Sequence, residues 1–317
     1  MEGTRILVGV DGSTTSQEAL RWAIGLGEAL GGEVVAIHAL GLLDRWRDPD
    51  ASARSWRRTL CTLVERTWCA PLARSHGRHR VEVRDGDPVD VLLAAVEDEQ
   101  ADLLVVGSRG AGGRPELALG STSLHVLQAA RVPVLVVPDR RPAAAAAHAL
   151  RLRHLLVGLD HSQASRTALE LAADVAASLG GSLSVLEVVE YVPAFPLDEP
   201  TAAAGRLRRW AAEATMALLE TEVRKVRARG VGVQVVVRSG DPAATLLEVA
   251  DDVDTDLVVV GTRGRGGPDE LLLGSVARTV ADRARRPTLV VPATAGAVHL
   301  RGRTDDHPER ASAGPRS

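Results

Sequence analysis

Aromatic residues are scarce in this chain of 317 residues, which contains five Trp, one Tyr and one Phe. A hydrophobic core must therefore be built from Val, Leu, Ile and Ala. Hydrophobic residues make up 45% of the sequence and charged residues 25%, which is the balance of a globular protein and not of a disordered one. The length is large for one ordinary domain and suits two.

Cysteine is equally scarce. The two cysteines are Cys61 and Cys69, and their spacing within a helix-like stretch fits neither a zinc site nor a disulfide framework. We interpret them as small core or surface residues of a protein kept in a reducing compartment. The sequence also lacks a secretory leader pattern and any apolar run near the ~20 residues of a membrane helix. These absences predict a soluble, cytoplasmic protein without a membrane partner.

No excess of positive charge is present, since the net charge is −3. Proteins that bind nucleic acid regardless of sequence are basic, so we expect no nucleic-acid partner. The modest basic stretch at 74–84, "RSHGRHRVEVR", fits a solvated sheet edge better than a nucleic-acid site. Lys225 is the only lysine and lies in a helix-like stretch, which excludes a Walker A loop because that motif needs a lysine after its glycines.

What the sequence does contain is a duplication. The glycines at 107, 110 and 120 recur 154 residues later, at 261, 264 and 274. Near the start of each half the offset is 149, so Asp160 corresponds to Asp11 and the second copy carries about five extra residues. Because this period is too long for a solenoid unit, it indicates a duplicated domain.

Within each copy, near-continuous apolar segments alternate with helical ones, including one long helix predicted over 52–76. This alternation is typical of a doubly wound α/β fold, in which helices cover both faces of a parallel sheet. We predict two tandem domains of this kind, each with a five-stranded parallel sheet. The predicted boundaries are 1–139 and 152–293 for the domains, 140–151 for a linker that is either a short helix or a flexible connector, and 294–317 for a disordered tail.

A glycine loop follows the fourth predicted strand of each copy and ends at a helix N-terminus. In open α/β sheets, ligands bind beyond the carboxyl ends of the strands. Free N–H groups and the helix dipole favour an anion there, and glycine lets the backbone approach a phosphate. Asp11 and Asp160 end the first strand of their copies and can accept hydrogen bonds from a nucleoside. Each copy is therefore predicted to bind a nucleotide, with the alternative that the glycines serve only turns and close packing.

A dinucleotide fingerprint is excluded by spacing. It requires G-x-G-x-x-G between the first strand and the first helix, where this chain has "DGSTTS" and "DHSQAS". In the later loops, Gly110-x-Gly112 meets Pro115 where the third glycine is required, and the second loop meets Asp269.

The spacing G-x2-G-x9-G-[ST], present twice, resembles that of the universal stress protein family in its tandem form. The segments "ILVGVDGS" and "LLVGLDHS" strengthen the resemblance, which extends over nearly the whole chain. It implies five-stranded α/β domains that bind ATP or another adenine nucleotide, with Mg²⁺ as an optional companion. Family members without the glycine motif generally do not bind ATP. The implied first site comprises Asp11 and Ala39 beside the nucleoside and Gly107, Arg109, Gly110, Gly120, Ser121 and Thr122 around ribose and phosphates; the second comprises Asp160, Val188, Gly261, Arg263, Gly264, Gly274 and Ser275.

The two copies differ where the helix after the glycine loop begins. Thr122 and Ser123 of the first copy are replaced by Val276 and Ala277 in the second. A hydrogen bond to a charged group contributes about 1.5–3 kcal/mol, so we expect the first site to bind a triphosphate more tightly. The prolines of the two loops also differ in place, because Pro268 stands one position earlier in the second loop than Pro115 does in the first. The two loops are therefore not expected to share one shape.

No convincing catalytic set is found. The histidines are scattered, and His161, which follows Asp160, corresponds to Gly12 in the first copy, so a role shared by both copies is not expected. We predict a stress-response regulator whose bound nucleotide changes conformation or association, with a nucleotide-independent scaffold and a slow ATPase as alternatives. The last strands of the two domains are expected to pair in an intramolecular pseudo-dimer, because an edge strand must be covered. A homodimer of whole chains is left open.

Overall fold

The computed structural model describes residues 3–41, 51–112, 119–139, 152–189, 202–264 and 273–295. The linker predicted at 140–151 and the predicted tail beyond residue 295 lie outside these ranges, as do the prolines at 115 and 268. The predicted domain boundaries therefore stay a prediction.

Strands and helices alternate along each copy in the predicted order. Asp87 and Asp241 start their helices, because each carboxylate accepts a backbone N–H of the first turn and a proline follows at the first helical position. The strands are β1 (Arg5–Gly9), β2 (Glu33–Ala39), β3 (Arg78–Arg84), β4 (Leu103–Gly107), β5 (Val134–Val137), β6 (His154–Gly158), β7 (Ser182–Val189), β8 (Gly232–Ser239), β9 (Leu257–Gly261) and β10 (Thr288–Val291). The α-helices are α1 (Thr14–Leu30), α2 (Ala51–Leu63), α3 (Pro88–Asp98), α4 (Ser121–Ala129), α5 (Gln163–Leu179), α6 (Ala202–Arg227), α7 (Pro242–Asp252) and α8 (Ser275–Arg283).

All of these strands belong to one sheet of ten, in the order β3-β2-β1-β4-β5-β10-β9-β6-β7-β8. Strands of the same copy pair in parallel, which confirms the predicted fold class. In each copy the chain winds outward from its first strand and then returns to the other side of it. The reversal falls between β1 and β4 and again between β6 and β9, where ligands of open α/β sheets usually bind.

The two copies meet at β5 and β10, the last strand of each. These strands pair antiparallel, with Leu135 opposite Leu289. Each would otherwise be a sheet edge with unpaired backbone groups, and the pairing satisfies both edges at once.

An apolar layer covers each face of the sheet, and both layers run through both copies. One layer is built from α1, α5 and the last half of α6 against residues such as Leu155 and Leu289. The other is built from α3, α4, α7 and α8 against residues such as Leu104 and Val258. Val, Leu, Ile and Ala dominate both layers, as the scarcity of aromatic residues predicts.

The long helix predicted over 52–76 is wrong in its extent. α2 ends at Leu63 and is followed by a widened π-type turn, Val64–Trp68, and a short 3₁₀ turn, Leu72–Arg74. Pro71 has no N–H and cannot continue a helix, which explains the interruption. In the second copy α6 runs without a break through the equivalent region. None of the helices in the described ranges combines the length and apolar character needed to cross a membrane.

Candidate functional site

The carboxyl ends of β1 and β4 bring Asp11 and the first glycine loop together, as predicted. The Asp11 carboxylate accepts a hydrogen bond from the backbone N–H of Ala111 at 2.7 Å, measured to Oδ2. Its other oxygen accepts from the backbone N–H of Ser13 at 3.0 Å and from the Ser13 hydroxyl at 2.6 Å. Asp11 thus ties the turn after β1 to the loop after β4.

These contacts change the acidity of Asp11. Burial acts to raise the pKa of the carboxyl group, but hydrogen bonds from Ser13, Ala111 and Ser16 outweigh burial and bring the pKa below its ordinary value of 3.8. Asp11 is therefore a carboxylate at neutral pH, with part of its acceptor capacity already used inside the protein.

The first glycine of the motif is required by packing. A methyl group on Gly107 would lie 2.6 Å from Oγ1 of Thr15 and 2.8 Å from the Thr15 carbonyl carbon. In the second copy, a methyl group on Gly261 would lie 2.7 Å from the carbonyl carbon of Ala164. Because both obstacles include backbone atoms, no side-chain rotation relieves them, and β4 and β9 can approach α1 and α5 only through glycine.

The second glycine is required by the aspartate. A methyl group on Gly110 would lie 2.6 Å from Oδ2 of Asp11, and one on Gly264 would lie 2.4 Å from Oδ2 of Asp160. The Asp160 carboxylate also accepts the backbone N–H of Ser162 at 3.0 Å, as Asp11 does from its own serine. Both predicted aspartates are therefore in direct contact with their loops.

The third glycine serves a different purpose, because it is the N-cap of the following helix. Gly120 caps α4 and Gly274 caps α8, and neither helix has a side-chain hydrogen bond at its cap. By contrast, side chains cap the other four helices whose N-caps are described, namely Ser13 on α1, Asp87 on α3, Ser162 on α5 and Asp241 on α7.

Space around the third glycine differs from that around the other two. A methyl group on Gly120 would meet its nearest neighbours, the Arg109 Cα and the Ser108 carbonyl oxygen, at 3.5 Å, an ordinary contact. Gly274 is tighter, with the Thr262 carbonyl oxygen at 3.1 Å. Folding alone does not require glycine at 120.

The side chains that follow the third glycine divide into exposed and buried. Ser121 and Ser275 are exposed, and Thr122 is half-buried. Ser123 is buried, and its hydroxyl donates to the carbonyl oxygen of Gly107 at 2.7 Å. This bond removes part of the argument for a tighter first site, because only Thr122 of the two extra hydroxyls remains available to a ligand.

Arg109 contributes its backbone more than its charge to this corner. Its carbonyl oxygen accepts the hydroxyl of Thr15, and its guanidinium is paired with Asp139 at 2.8 Å. In the second copy the Arg263 carbonyl accepts the Ser162 hydroxyl at 3.0 Å, and the residue equivalent to Asp139 is Ala293.

Ala39 is the last residue of β2 and Val188 is the last but one of β7, so both lie at the same carboxyl edge as the two aspartates. Both are partly buried against the layer formed by α3, α4, α7 and α8. The described contacts join the aspartates to the glycine loops, whereas these two residues share only the sheet edge with them.

Sequence reasoning missed the groups that cover the turn after the first strand. In the first copy the Trp68 indole packs on Gly12, where a methyl group would lie 2.5 Å from the ring, and stands edge-on to His38 at 5.1 Å between ring centres. The Nδ1 of His38 lies 2.7 Å from the Val10 carbonyl oxygen.

In the second copy, charged groups cover the same turn. The Nε2 of His161 lies 2.9 Å from Glu187, and its Nδ1 lies 3.6 Å from Glu222, which also pairs with Arg166 at 3.0 Å. The offset of 149 relates His161 to Gly12 and Glu187 to His38, and the offset of 154 relates Glu222 to Trp68. Comparing these pairs in the sequence would have shown that charged groups in the second copy replace the aromatic cover of the first.

The described residues contain no group of three or more His, Cys, Asp or Glu side chains arranged to hold a metal ion. The acceptors at the carboxyl edge are single aspartates, and the donors are backbone N–H groups and hydroxyls. Such a site is suited to binding an anion.

Residues 3–138 and 151–292 each match the model of the universal stress protein family. A universal stress protein of Mycolicibacterium smegmatis is 33% identical over 298 residues, which cover 90% of this chain and 96% of that protein. Universal stress protein Rv2623 of Mycobacterium tuberculosis is 29% identical over 314 residues, with coverage of 90% and 95%. The crystal structure of a universal stress protein from Archaeoglobus fulgidus has the same fold, with a TM-score of 0.67, 23% identity and coverage of 92% of this chain and 97% of that one.

Proposed function

The chain belongs to the universal stress protein family, in tandem form, and from this premise we propose that each copy binds an adenine nucleotide, ATP in the first instance. Binding would order the glycine loops, and the changed surface would be read by other proteins or by association of the chain with itself. The protein would thus act as a regulator in the stress response.

The observation that carries this proposal is the uncapped start of α4 and α8. Side chains satisfy the first N–H groups of the other four helices with described caps, whereas glycine leaves the first turns of these two open. Uncapped N–H groups at the positive end of a helix dipole favour a phosphate. A methyl group at Gly120 would make only ordinary contacts, so close packing does not account for the glycine there.

The chemistry of the remaining groups fits a nucleotide. Ser121, Thr122 and Ser275 would donate hydroxyls to phosphate oxygens, and Asp11 and Asp160 would accept ribose or base hydrogens with the lone pairs their own turns leave unused. Ala39 and Val188 would supply an apolar contact for the base. The phosphates of ATP, together with water, would hold Mg²⁺ without a cluster of protein ligands.

An intramolecular pseudo-dimer is part of this proposal, and the antiparallel pairing of β5 and β10 supports it. A cytoplasmic location is also part of it, since Cys61 and Cys69 are both free thiols in the fold. Association of whole chains into a homodimer stays a prediction.

Titration calorimetry and thermal shift with ATP, AMP and cyclic AMP test the proposal on the whole chain. The informative variant is Gly120→Asp combined with Gly274→Asp, because an aspartate N-cap stabilises a helix by only a few tenths of a kcal/mol relative to glycine but repels a phosphate. We expect loss of the nucleotide-induced shift. Without nucleotide, the melting temperature should be little changed by Gly120→Asp and lowered by Gly274→Asp, because the added carbon at 274 would lie 3.1 Å from the Thr262 carbonyl oxygen.

Gly77→Asp is the matched control, because it adds the same charge at the opposite end of the strands, where its methylene would lie 3.8 Å from the nearest carbonyl. This variant should keep the nucleotide shift. If the unmodified chain shows neither heat nor shift with any of the three nucleotides, the nucleotide proposal is wrong and the scaffold alternative gains.

A further inference from the structure

The turn that carries the candidate aspartate is held by different chemistry in the two copies. Both turns have left-handed backbone, with φ of +81° at Gly12 and +64° at His161. Glycine adopts this conformation freely, but a histidine does so at a cost that its contacts must offset. His161 is therefore held in place by what its side chain touches.

The contacts of His161 come from three elements. Glu187 on β7 is buried, and it faces Nε2; Glu222 on α6 faces Nδ1; and Arg166 on α5 pairs with Glu222 from the other side. A doubly protonated imidazole donates to Glu187 from Nε2 and places positive charge 3.6 Å from the Glu222 carboxylate. A neutral imidazole carries only one N–H, so the lone pair of its other nitrogen would point toward a carboxylate.

His161 lies between the two residues that build the second cleft. Asp160 precedes it and stands against Gly264, and Ser162 follows it and donates both to Asp160 and to the Arg263 carbonyl. A change at His161 moves these neighbours because they share one turn. In the first copy the equivalent clamp is the Trp68 indole on Gly12, which carries no charge.

We propose that His161 is a positioning residue of the second cleft, which in its protonated form, held between Glu187 and Glu222, fixes the turn that carries Asp160. The second cleft then binds nucleotide more tightly at about pH 6 than at about pH 8, and this effect depends on His161. In the first cleft the equivalent residue is Gly12, and the histidine nearby, His38, lies against the Val10 carbonyl oxygen and the Trp68 ring. This inference rests on the proposed nucleotide function, because it concerns the same cleft.

The test reads one cleft at a time in the whole chain. Gly110→Ala places a methyl group 2.6 Å from the Asp11 carboxylate and is expected to disable the first cleft, so that binding reports on the second. Gly264→Ala places a methyl group against Asp160, is expected to disable the second cleft, and leaves the first to be measured. ATP affinity is measured by calorimetry at about pH 6 and about pH 8, on either side of the ordinary histidine range. The titration of ATP itself affects both backgrounds equally and is removed by comparing them.

In the Gly110→Ala background we expect affinity to fall about tenfold more between the two pH values than in the Gly264→Ala background, the lower end of the effect of one lost charged hydrogen bond. Adding His161→Gly, which installs the residue of the first copy, should abolish the excess. An excess that survives this substitution, or an equal pH dependence of both clefts, would overturn the proposal.

A ligand-free measurement separates this proposal from the nucleotide proposal. In NMR spectra of the unliganded chain, the amide signals of Asp160 and Ser162 should shift together with the ring protons of His161 as pH changes. The Glu187→Gln variant, which keeps the shape of the side chain and removes its charge, should weaken this coupling. If the amide signals of Asp160 and Ser162 do not shift together with the His161 ring protons, the positioning role is wrong even when ATP binds. If the signals shift together but ATP does not bind, the positioning role stands and the nucleotide proposal is wrong.

Discussion

Trp68 in the first copy and Glu222 in the second stand over the same turn, yet one is an indole and the other a carboxylate. The residues beneath them changed in step, glycine under the indole and histidine under the carboxylate. The left-handed backbone is the same in both copies. The difference teaches that the turn geometry, which the aspartate–serine hydrogen bonds require, is retained, whereas the group that covers it can be replaced.

The glycine motif shows the opposite behaviour, because all three of its glycines recur in both copies. The first two are demanded by close contacts with a neighbouring backbone and with the aspartate. At the third, the first copy has room for a side chain and the second copy is tighter. Substitutions can therefore separate what packing requires from what a ligand requires.

The largest difference between the copies is expected on removal of the covering group. Trp68→Ala deletes a half-buried indole that contacts Gly12 and His38, and should lower the free energy of unfolding by about 3 kcal/mol. Glu222→Ala breaks partly exposed ion pairs and should cost about 1 kcal/mol or less. Urea denaturation of the whole chain measures both, and equal losses would show that the two clamps are energetically alike.

A smaller loss, equal in both copies, is expected at the first glycine. Gly107→Ala and Gly261→Ala each push a methyl group against backbone and should cost about 2 kcal/mol. Gly120→Ala is the control within the same motif and should cost less than about 1 kcal/mol, because its methyl group has room. Thermal unfolding compares the three, and a Gly120→Ala variant as unstable as Gly107→Ala would contradict the assignment of roles.

Asp11 should show a pH-dependent contribution to stability. Its pKa is lowered in the fold, so its hydrogen bonds stabilise the protein at neutral pH and are lost as pH falls through the lowered value, below 3.8. We expect Asp11→Asn to cost about 1 kcal/mol at neutral pH and less at about pH 3, where the carboxyl group of the unfolded chain is mostly protonated and the stabilisation from the lowered pKa is declining. The difference in melting temperature between the two proteins, followed against pH, should shrink on acidification; a constant difference would argue against the shifted pKa.

The smallest effect is expected at Asp139, which holds the Arg109 guanidinium at 2.8 Å in the first copy and is replaced by Ala293 in the second. Asp139→Ala makes the copies alike at this position and removes the pairing of the Arg109 guanidinium with Asp139. The pair is partly exposed, so we expect ATP affinity of the first cleft to rise only about threefold, with little change in stability. Calorimetry in the Gly264→Ala background isolates that cleft, and an unchanged affinity would mean that Arg109 cannot reach the ligand.

Much of the fold was predictable because its signals are local. Helix starts at Asp87 and Asp241 follow from capping chemistry, and the parallel sheet follows from apolar runs between helices. The one clear error, a single helix over 52–76, arose because helical periodicity persists through the widened turn at Val64–Trp68 while the backbone hydrogen bonds change register.

The candidate site was predictable in outline for the same reason, since the strand ends that carry Asp11 and the glycine loop are set by strand order. Its details were not. The Ser123 hydroxyl looks like a ligand group in sequence, but the fold turns it onto the Gly107 carbonyl. Likewise, the Arg109 guanidinium reaches Asp139, thirty positions away.

The amino-acid sequence alone determined the duplication, the α/β class, the capped helix starts and the glycine starts of α4 and α8, because each depends on residues close together in the chain. Only the tertiary structure decided which atoms meet each glycine, which hydroxyls remain available to a ligand, and whether an indole or a pair of carboxylates covers the turn after the first strand. Those contacts join residues from different crossovers, and their geometry arises only when the strands are stacked side by side in the sheet.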